Sequence, residues 1–521
     1  MLFNSAEFIF LFLPLSLLLF FYLANRWGNE VAIAGLVVSS LFFYAWWNPS
    51  YLILLLISMV LNYQLGKRLG TNKNNKKLLT VGISLNLAAI AYFKYAGFIV
   101  FNLNAVTGES WSLGNIILPL AISFFTFQQI AYLVDSYKGI TKEYSFLHYA
   151  LFVSFFPQLI AGPIVHHKDM LPQFSSTKRY QVNCTNFKIG LTIFAIGLFK
   201  KTVLADGIAV YANPVFTLAD AGGNIDFFMA WGGTLAYTFQ LYFDFSGYSD
   251  MAIGIARLFG IILPLNFYSP YKAANISEFW RRWHITLSHF LRDYVYIALG
   301  GNRSGKFKRY SNLFITMLLG GLWHGAGWNF IIWGALHGSY LVINLGWQAM
   351  KVKYSLFTFE SKLYIFTAWL ITFIAVVIGW VFFRAVTLDG ALIIIKGMLG
   401  LNGIEIPNAI LTRTGSLGSI LQAWGITPSN GGKVFVMTWL WNSVLLIFVL
   451  TLPNIQDLFF KRQGTLSKFN YESRSTFWPA RQLILGFTWA DTHRWALFSG
   501  ACLALGMLTL SQVSEFLYFQ F

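Results

Sequence analysis

Apolar residues gather into runs of about 18–22, long enough to cross a hydrocarbon layer of about 30 Å at about 1.5 Å per residue. The first extends from Ala6 to Leu23, with no basic residue in Met1–Ser5 and too long for a signal core, and so predicts a first span. Further runs cover 31–48, 51–66, 79–100, 115–134, 146–165, 188–206, 227–245, 250–265, 312–330, 331–347, 364–384, 433–452 and 494–513. Some are short or Gly-rich, and the expected total is about 11–14 membrane segments, including re-entrant or interfacial helices. No repeat of about 20–50 residues and no Ser/Gly/Pro linker divides the chain, which predicts one integral-membrane domain over 1–521. The fold class is an all-α polytopic membrane protein.

Composition agrees. Only 11% of the 521 residues are charged and 56% are hydrophobic, against about 25% charged in soluble proteins, which excludes an ordinary cytosolic enzyme. The net charge of +17 resides in short clusters between apolar runs, so topology accounts for it and no nucleic acid is implied. Three basic loops are expected to face the cytoplasm: Lys67, Arg68, Lys73, Lys76 and Lys77; Arg303, Lys306, Lys308 and Arg309; and Lys461, Arg462, Lys468, Arg474 and Arg481. Three spans precede the first loop and one follows the last, so both termini are expected outside, with 386–431 an extracytoplasmic loop. Cys184 and Cys502 have no CxxC spacing and no nearby His set, and predict neither disulfides nor zinc.

Polar groups within apolar runs are candidates for chemistry, although many merely satisfy one another between helices. They are densest over 240–340. Asp244 and Asp250, six apart around Gly247, predict a helix–turn–helix corner and read either as functional carboxylates or as helix caps. Asn275 and Glu278 have capping-box spacing, and Phe279, Trp283, Leu287, Phe290, Tyr294 and Ile297 then recur every three or four residues. That stripe predicts an amphipathic helix at the cytoplasmic interface. Its Arg281, Arg282 and Arg292, with Arg303 beyond, can bind donor phosphates or lipid headgroups.

From a boundary near Asn312, His324 lies twelve residues into its run, about 18 Å deep. Neutral imidazole there can accept a proton from an attacking hydroxyl and return it to a leaving group; the bland alternative is a hydrogen bond between helices. Flanking glycines permit close approach of substrate, and Trp323 with neighbouring tryptophans can keep the cavity dry. His337 lies about 220° around a straight helix from His324, so both face one cavity only if Gly325–Gly327 turns the chain. His148, His166, His167, His284, His289 and His493 rank lower, and with no HExxH pattern no metal is expected. GxSxG, Walker A and dinucleotide signatures are missing, so an activated donor must come from elsewhere.

The segments Glu278–His284, Leu299–Arg303 and Gly320–Gly325 resemble the membrane-bound O-acyltransferase (MBOAT) family, and within it the bacterial alginate O-acetylase branch. Met1–Pro14, Leu118–Gln128, Phe155–Pro163, Phe243–Asp250 and Trp380–Ala385 extend the resemblance along most of the chain. It implies a helical bundle with a central tunnel, acetyl-CoA as acyl-donor substrate with no bound cofactor, and the family's essential histidine at His324. A second, less universal histidine falls on His337. Donor binding is assigned to Arg281, Arg282, Arg292, Arg303, Trp323 and Asn329. The partners implied are an extracytoplasmic SGNH-type acetyltransferase, a polysaccharide acceptor and membrane lipid. The tail, 514–521, ends in Phe516-Leu517-Tyr518-Phe519-Gln520-Phe521, which is similar to the end of the small subunit of the teichoic-acid D-alanylation system, whose tyrosine looks like an acyl relay. Composition alone reads it as an aromatic belt; tail position and motif favour Tyr518 as a carrier. The expected function is O-acetylation of an extracytoplasmic polysaccharide (alginate-like, peptidoglycan or cellulose) at a bacterial inner membrane. A polysaccharide or lipid-linked sugar transporter, and a scaffold for polymer export, are the competing readings.

Overall fold

The computed structural model describes residues 1–71, 75–114, 116–141, 145–160, 162–176, 180–303, 305–356, 361–459, 488–510 and 517. Among these, six helices are long and apolar enough to cross a membrane: Phe8–Trp27, Ser50–Thr71, Lys76–Thr107, Trp328–Tyr354, Lys362–Arg384 and Gly432–Thr451. Others shape the interior. The fold is an all-α multi-pass membrane bundle, and the described strands are two of three residues each, Glu405–Pro407 and Thr427–Ser429, paired in parallel. They lie within 386–431, which also contains the helix Leu388–Met398. The base of this region is held by Asp220, which accepts from Val386 N (3.1 Å) and Thr387 N (2.9 Å). The basic loop 461–481, like Lys73, lies outside the described residues.

The runs at 227–245 and 250–265 form not two elements but one helix, Phe227–Leu258, buried over most of its 32 residues. An element buried on every side belongs at the centre of a bundle. Gly247 therefore makes no corner. It serves a close crossing with Cys184–Phe199: a Cβ at Gly247 would stand 2.8 Å from the Gly197 carbonyl, and one at Gly254 2.7 Å from that of Gly190. Glycines two turns apart on both helices let the backbones touch, as small residues do where membrane helices cross.

Nor do Asp244 and Asp250 cap helices. Cys184–Phe199 runs through a π turn, Lys200–Ala205, into Asp206–Asp220, and the π turn turns two lysines on the central helix. Lys200 Nζ lies 2.7 Å from Asp250, and Lys201 Nζ lies 2.7 Å from Asp244 and 2.8 Å from Asp206. Carboxylates six apart are separated by about 120° around a helix and adjacent lysines by about 100°, so the two pairs match face to face.

Of the stripe predicted over Phe279–Ile297, Phe279, Trp283, Leu287 and Phe290 are buried while Ile297 is exposed, and its helix does not run on continuously. It breaks into Ile276–Arg282, Ile285–Phe290 and a π turn, Leu291–Tyr296. Asn275 caps the first piece by accepting from Glu278 N at 2.9 Å. Glu278 and Arg282 are buried along with the aromatics, which sets the segment inside the protein rather than along its edge.

Candidate functional site

His324 is the last residue of the helix Gly305–His324, and the chain turns at Gly325–Gly327 before the helix Trp328–Tyr354 begins. Close packing makes this hairpin tight, since a Cβ at Gly334 would lie 2.6 Å from the Met317 carbonyl. The turn brings the two histidines to one region, as the sequence required of it. Trp333 stands between them, its ring centroid 5.0 Å from that of His324 and 4.8 Å from that of His337.

The two have different surroundings. His324 lines a pocket of about 290 Å³ whose wall comprises Trp47, Lys94, Ile160, Trp323 and the segment 117–124. Phe383, 5.1 Å away, and Trp333 close its other faces. His337 is fully buried, outside that lining, among Phe279, Trp280, Trp333, Tyr340 and Trp380. Its Nδ1 accepts from Trp280 Nε1 at 3.3 Å, which assigns its proton to Nε2. Gly379 admits that edge of the ring, because a Cβ there would sit 2.8 Å from Nε2.

His284, ranked low on sequence, belongs to this centre. Its backbone is left-handed (φ 42°), a conformation that costs a residue with a Cβ about 1–3 kcal/mol and gathers at functional sites. Asn266 Oδ1 holds it, accepting from His284 Nδ1 at 3.1 Å and from Thr286 Oγ1 at 2.9 Å. The His284 ring lies 6.2 Å from that of Trp323, the residue beside His324 that lines the pocket. No glycine or proline marks the break before His284, so periodicity alone could not find it. Lys94 did leave a signal, as a lysine within the apolar run 79–100.

The residues expected to bind donor separate into two groups. Arg281 and Arg303 are exposed, and Arg292 is exposed with its guanidinium on Asp293 (2.6 Å). Arg282 is instead buried, paired with Glu278 at 2.7 Å and stacked over Tyr268. Trp323 lines the pocket and stacks on Phe127 at 5.3 Å. Asn329 is buried and donates to the Ala385 carbonyl at 2.7 Å, tying its helix to the end of Lys362–Arg384. Tyr518 lies outside the described residues; its neighbour Leu517 is described, buried, with its N–H on Asp244 Oδ2 at 3.1 Å.

A buried histidine at the wall of a pocket in a multi-pass helical body is a candidate site of chemistry. Residues 136–387 match the membrane-bound O-acyltransferase family. The chain is 48% identical to the peptidoglycan O-acetyltransferase of Helicobacter pylori, over 78% of this chain and 81% of that protein. It is 44% identical to the probable alginate O-acetylase of Pseudomonas aeruginosa, over 75% of this chain and 73% of that protein. The chain belongs to the membrane-bound O-acyltransferase family and is an acyltransferase.

Proposed function

We propose that this acyltransferase takes acetyl from acetyl-CoA at the cytoplasmic face of a bacterial inner membrane and passes it outward for O-acetylation of an extracytoplasmic polysaccharide. Relatives named for peptidoglycan and for alginate support the acyl group and the polymer class. The observation that carries the reading is His324 at the wall of a pocket whose other walls are aromatic or aliphatic, apart from Lys94 and Ser123. In such a site His324 takes the proton of an attacking hydroxyl as its oxygen bonds to the thioester carbon. The C–S bond then breaks, and the imidazolium returns the proton to the departing thiolate.

The first hydroxyl is assigned to Tyr518, and the acceptor of its ester to an SGNH-type partner or the glycan. A phenol has a pKa near 10 and needs a base at the moment of attack, while as an ester it is a better leaving group than a sugar hydroxyl. Leu517, next to Tyr518, is buried with its N–H on buried Asp244, which supports the assignment.

Labelled acetyl-CoA supplied to the enzyme in proteoliposomes tests the function. Label is expected on protein or added glycan, whereas a transporter or scaffold transfers none. Without acceptor, the C-terminal peptide should gain the mass of one acetyl group. Tyr518→Phe, which removes only the hydroxyl, is expected to lose glycan acetylation while still binding acetyl-CoA; full activity in that variant would reduce the tail to an anchor.

Donor phosphates are assigned to the exposed arginines. Arg281→Gln with Arg303→Gln is expected to raise the KM for acetyl-CoA more than it lowers kcat, since guanidinium–phosphate contacts remote from the carbonyl are made equally in ground and transition states. An unchanged KM with protein lost from the membrane would make both residues lipid anchors. Arg282 is left out because its guanidinium is committed to Glu278.

A further inference from the structure

We propose that Lys94 is a positioning residue of the acyl-transfer site, holding His324 against the pocket by fixing the end of its helix. The inference rests on the proposed role of His324 as the base. A helix leaves its last four carbonyls without intrahelical partners, and an end so exposed frays unless something else takes them up. His324 sits at such an end, where a loosened final turn would move the imbidazole-bearing residue itself. Three consecutive carbonyls there are taken by two adjacent side chains of a single distant turn. Tyr95 Oη donates to the Leu322 carbonyl at 2.7 Å, and Lys94 Nζ donates to those of Trp323 at 2.6 Å and His324 at 2.9 Å.

The donors come from Ala91–Tyr95, a π turn between the helices Lys76–Ile90 and Ala96–Thr107. Single π turns inside α-helices are frequent at functional sites. Here the turn aims two neighbouring side chains at one helix end. A basic side chain also complements the partial negative charge of that end. Among the described residues Lys94 is the one Lys, Arg, Asp or Glu in the pocket lining, and Nζ lies 5.9 Å from the centroid of the Trp323 ring, so backbone and neighbouring ring are held together. A lysine in a membrane-crossing helix is costly; replacing it by an apolar residue would remove that cost but release the carbonyls behind His324.

The test is Lys94→Met in the labelled-acetyl assay, beside wild type, His324→Ala and Lys94→Arg. Displacement of a reacting group by about 1 Å can cost about 10²-fold, so kcat is expected to fall about that far with the KM for acetyl-CoA nearly unchanged. Lys94→Arg should recover most of the rate, because a guanidinium can also donate to two carbonyls. In a His324→Ala background, Lys94→Met should cost nothing further, since no base remains to be placed. Wild-type kcat in Lys94→Met, or an undiminished Lys94→Met effect without His324, overturns the inference. Should Lys94→Met fail to fold, Tyr95→Phe gives the same reading on the third carbonyl: a lower kcat at constant KM supports the tether, and an unchanged kcat overturns it. A wild-type enzyme that transfers no label would instead defeat the proposed function, which keeps the two failures distinct.

Discussion

His324→Ala cuts acetyl transfer to a small residual rate while the protein still inserts and folds: that is the result expected if the imidazole is the general base. Proton transfer by a positioned base contributes about 10²–10⁴ in rate. The ring is buried but borders a pocket of about 290 Å³ on one side and meets Trp323, Trp333 and Phe383 through edge contacts at 4.9, 5.0 and 5.1 Å, so its loss enlarges a space already present. The measurement is single-turnover transfer of labelled acetyl by purified variant, alongside its thermal unfolding in detergent. Retention of more than about a tenth of the wild-type rate would make His324 a packing residue. His337→Ala is expected to show the opposite balance. That ring is wholly enclosed by aromatic side chains and absent from the pocket lining, so its removal leaves a cavity and an orphaned Trp280 N–H, lowering stability more than rate. Equal loss of rate in both variants would place His337 in the proton path.

Lys201→Met is expected to cause the largest loss of stability among single substitutions in the bundle. The lysine is 1% exposed and lies between Asp206 and Asp244, themselves 6% and 2% exposed. Removing it takes away the ammonium that these two buried carboxylates share. Breaking a buried ion pair in this way costs about 3–5 kcal/mol, whereas replacing every charged member by apolar groups of similar volume is often neutral. Detergent-solubilised Lys201→Met should therefore unfold well below wild type, and Lys201→Met combined with Asp206→Leu and Asp244→Leu should recover much of the difference. The triple variant also deletes the acceptor of the Leu517 N–H, so its stability is expected to return without its glycan acetylation. Stability equal to wild type in Lys201→Met alone would show that water reaches the cluster.

Much of the architecture was legible along the chain. Long apolar runs predicted a polytopic helical body, and the glycines of Gly325–Gly327 marked the turn between the two helices that carry His324 and His337. Asn275 was recognisable as a cap, and the aromatic stripe from Phe279 to Phe290 as a buried face. Local information was enough for these because each follows from the length or the 3.6-residue period of one element.

What failed to show depended on neighbours. Gly247 looks like a break to its own helix and becomes a contact point only when Gly197 lies against it. Asp244 and Asp250 look like caps until Lys200 and Lys201 arrive from another helix. Arg282 shares a sequence face with exposed Arg281, yet pairs inward with Glu278. His284 takes a left-handed backbone that no helical period encodes, sustained by Asn266 eighteen residues earlier.

The sequence by itself therefore determined that this chain is a multi-pass membrane protein and that it is helical, because hydrophobic transfer and helical geometry act on each segment alone. Tertiary structure decided which charges neutralise one another, which histidines share a centre, and what holds His324 at the pocket wall. Those outcomes require groups far apart in the chain, such as Lys94 and the carbonyl of His324 230 residues later, to meet within hydrogen-bonding distance in a low-dielectric interior.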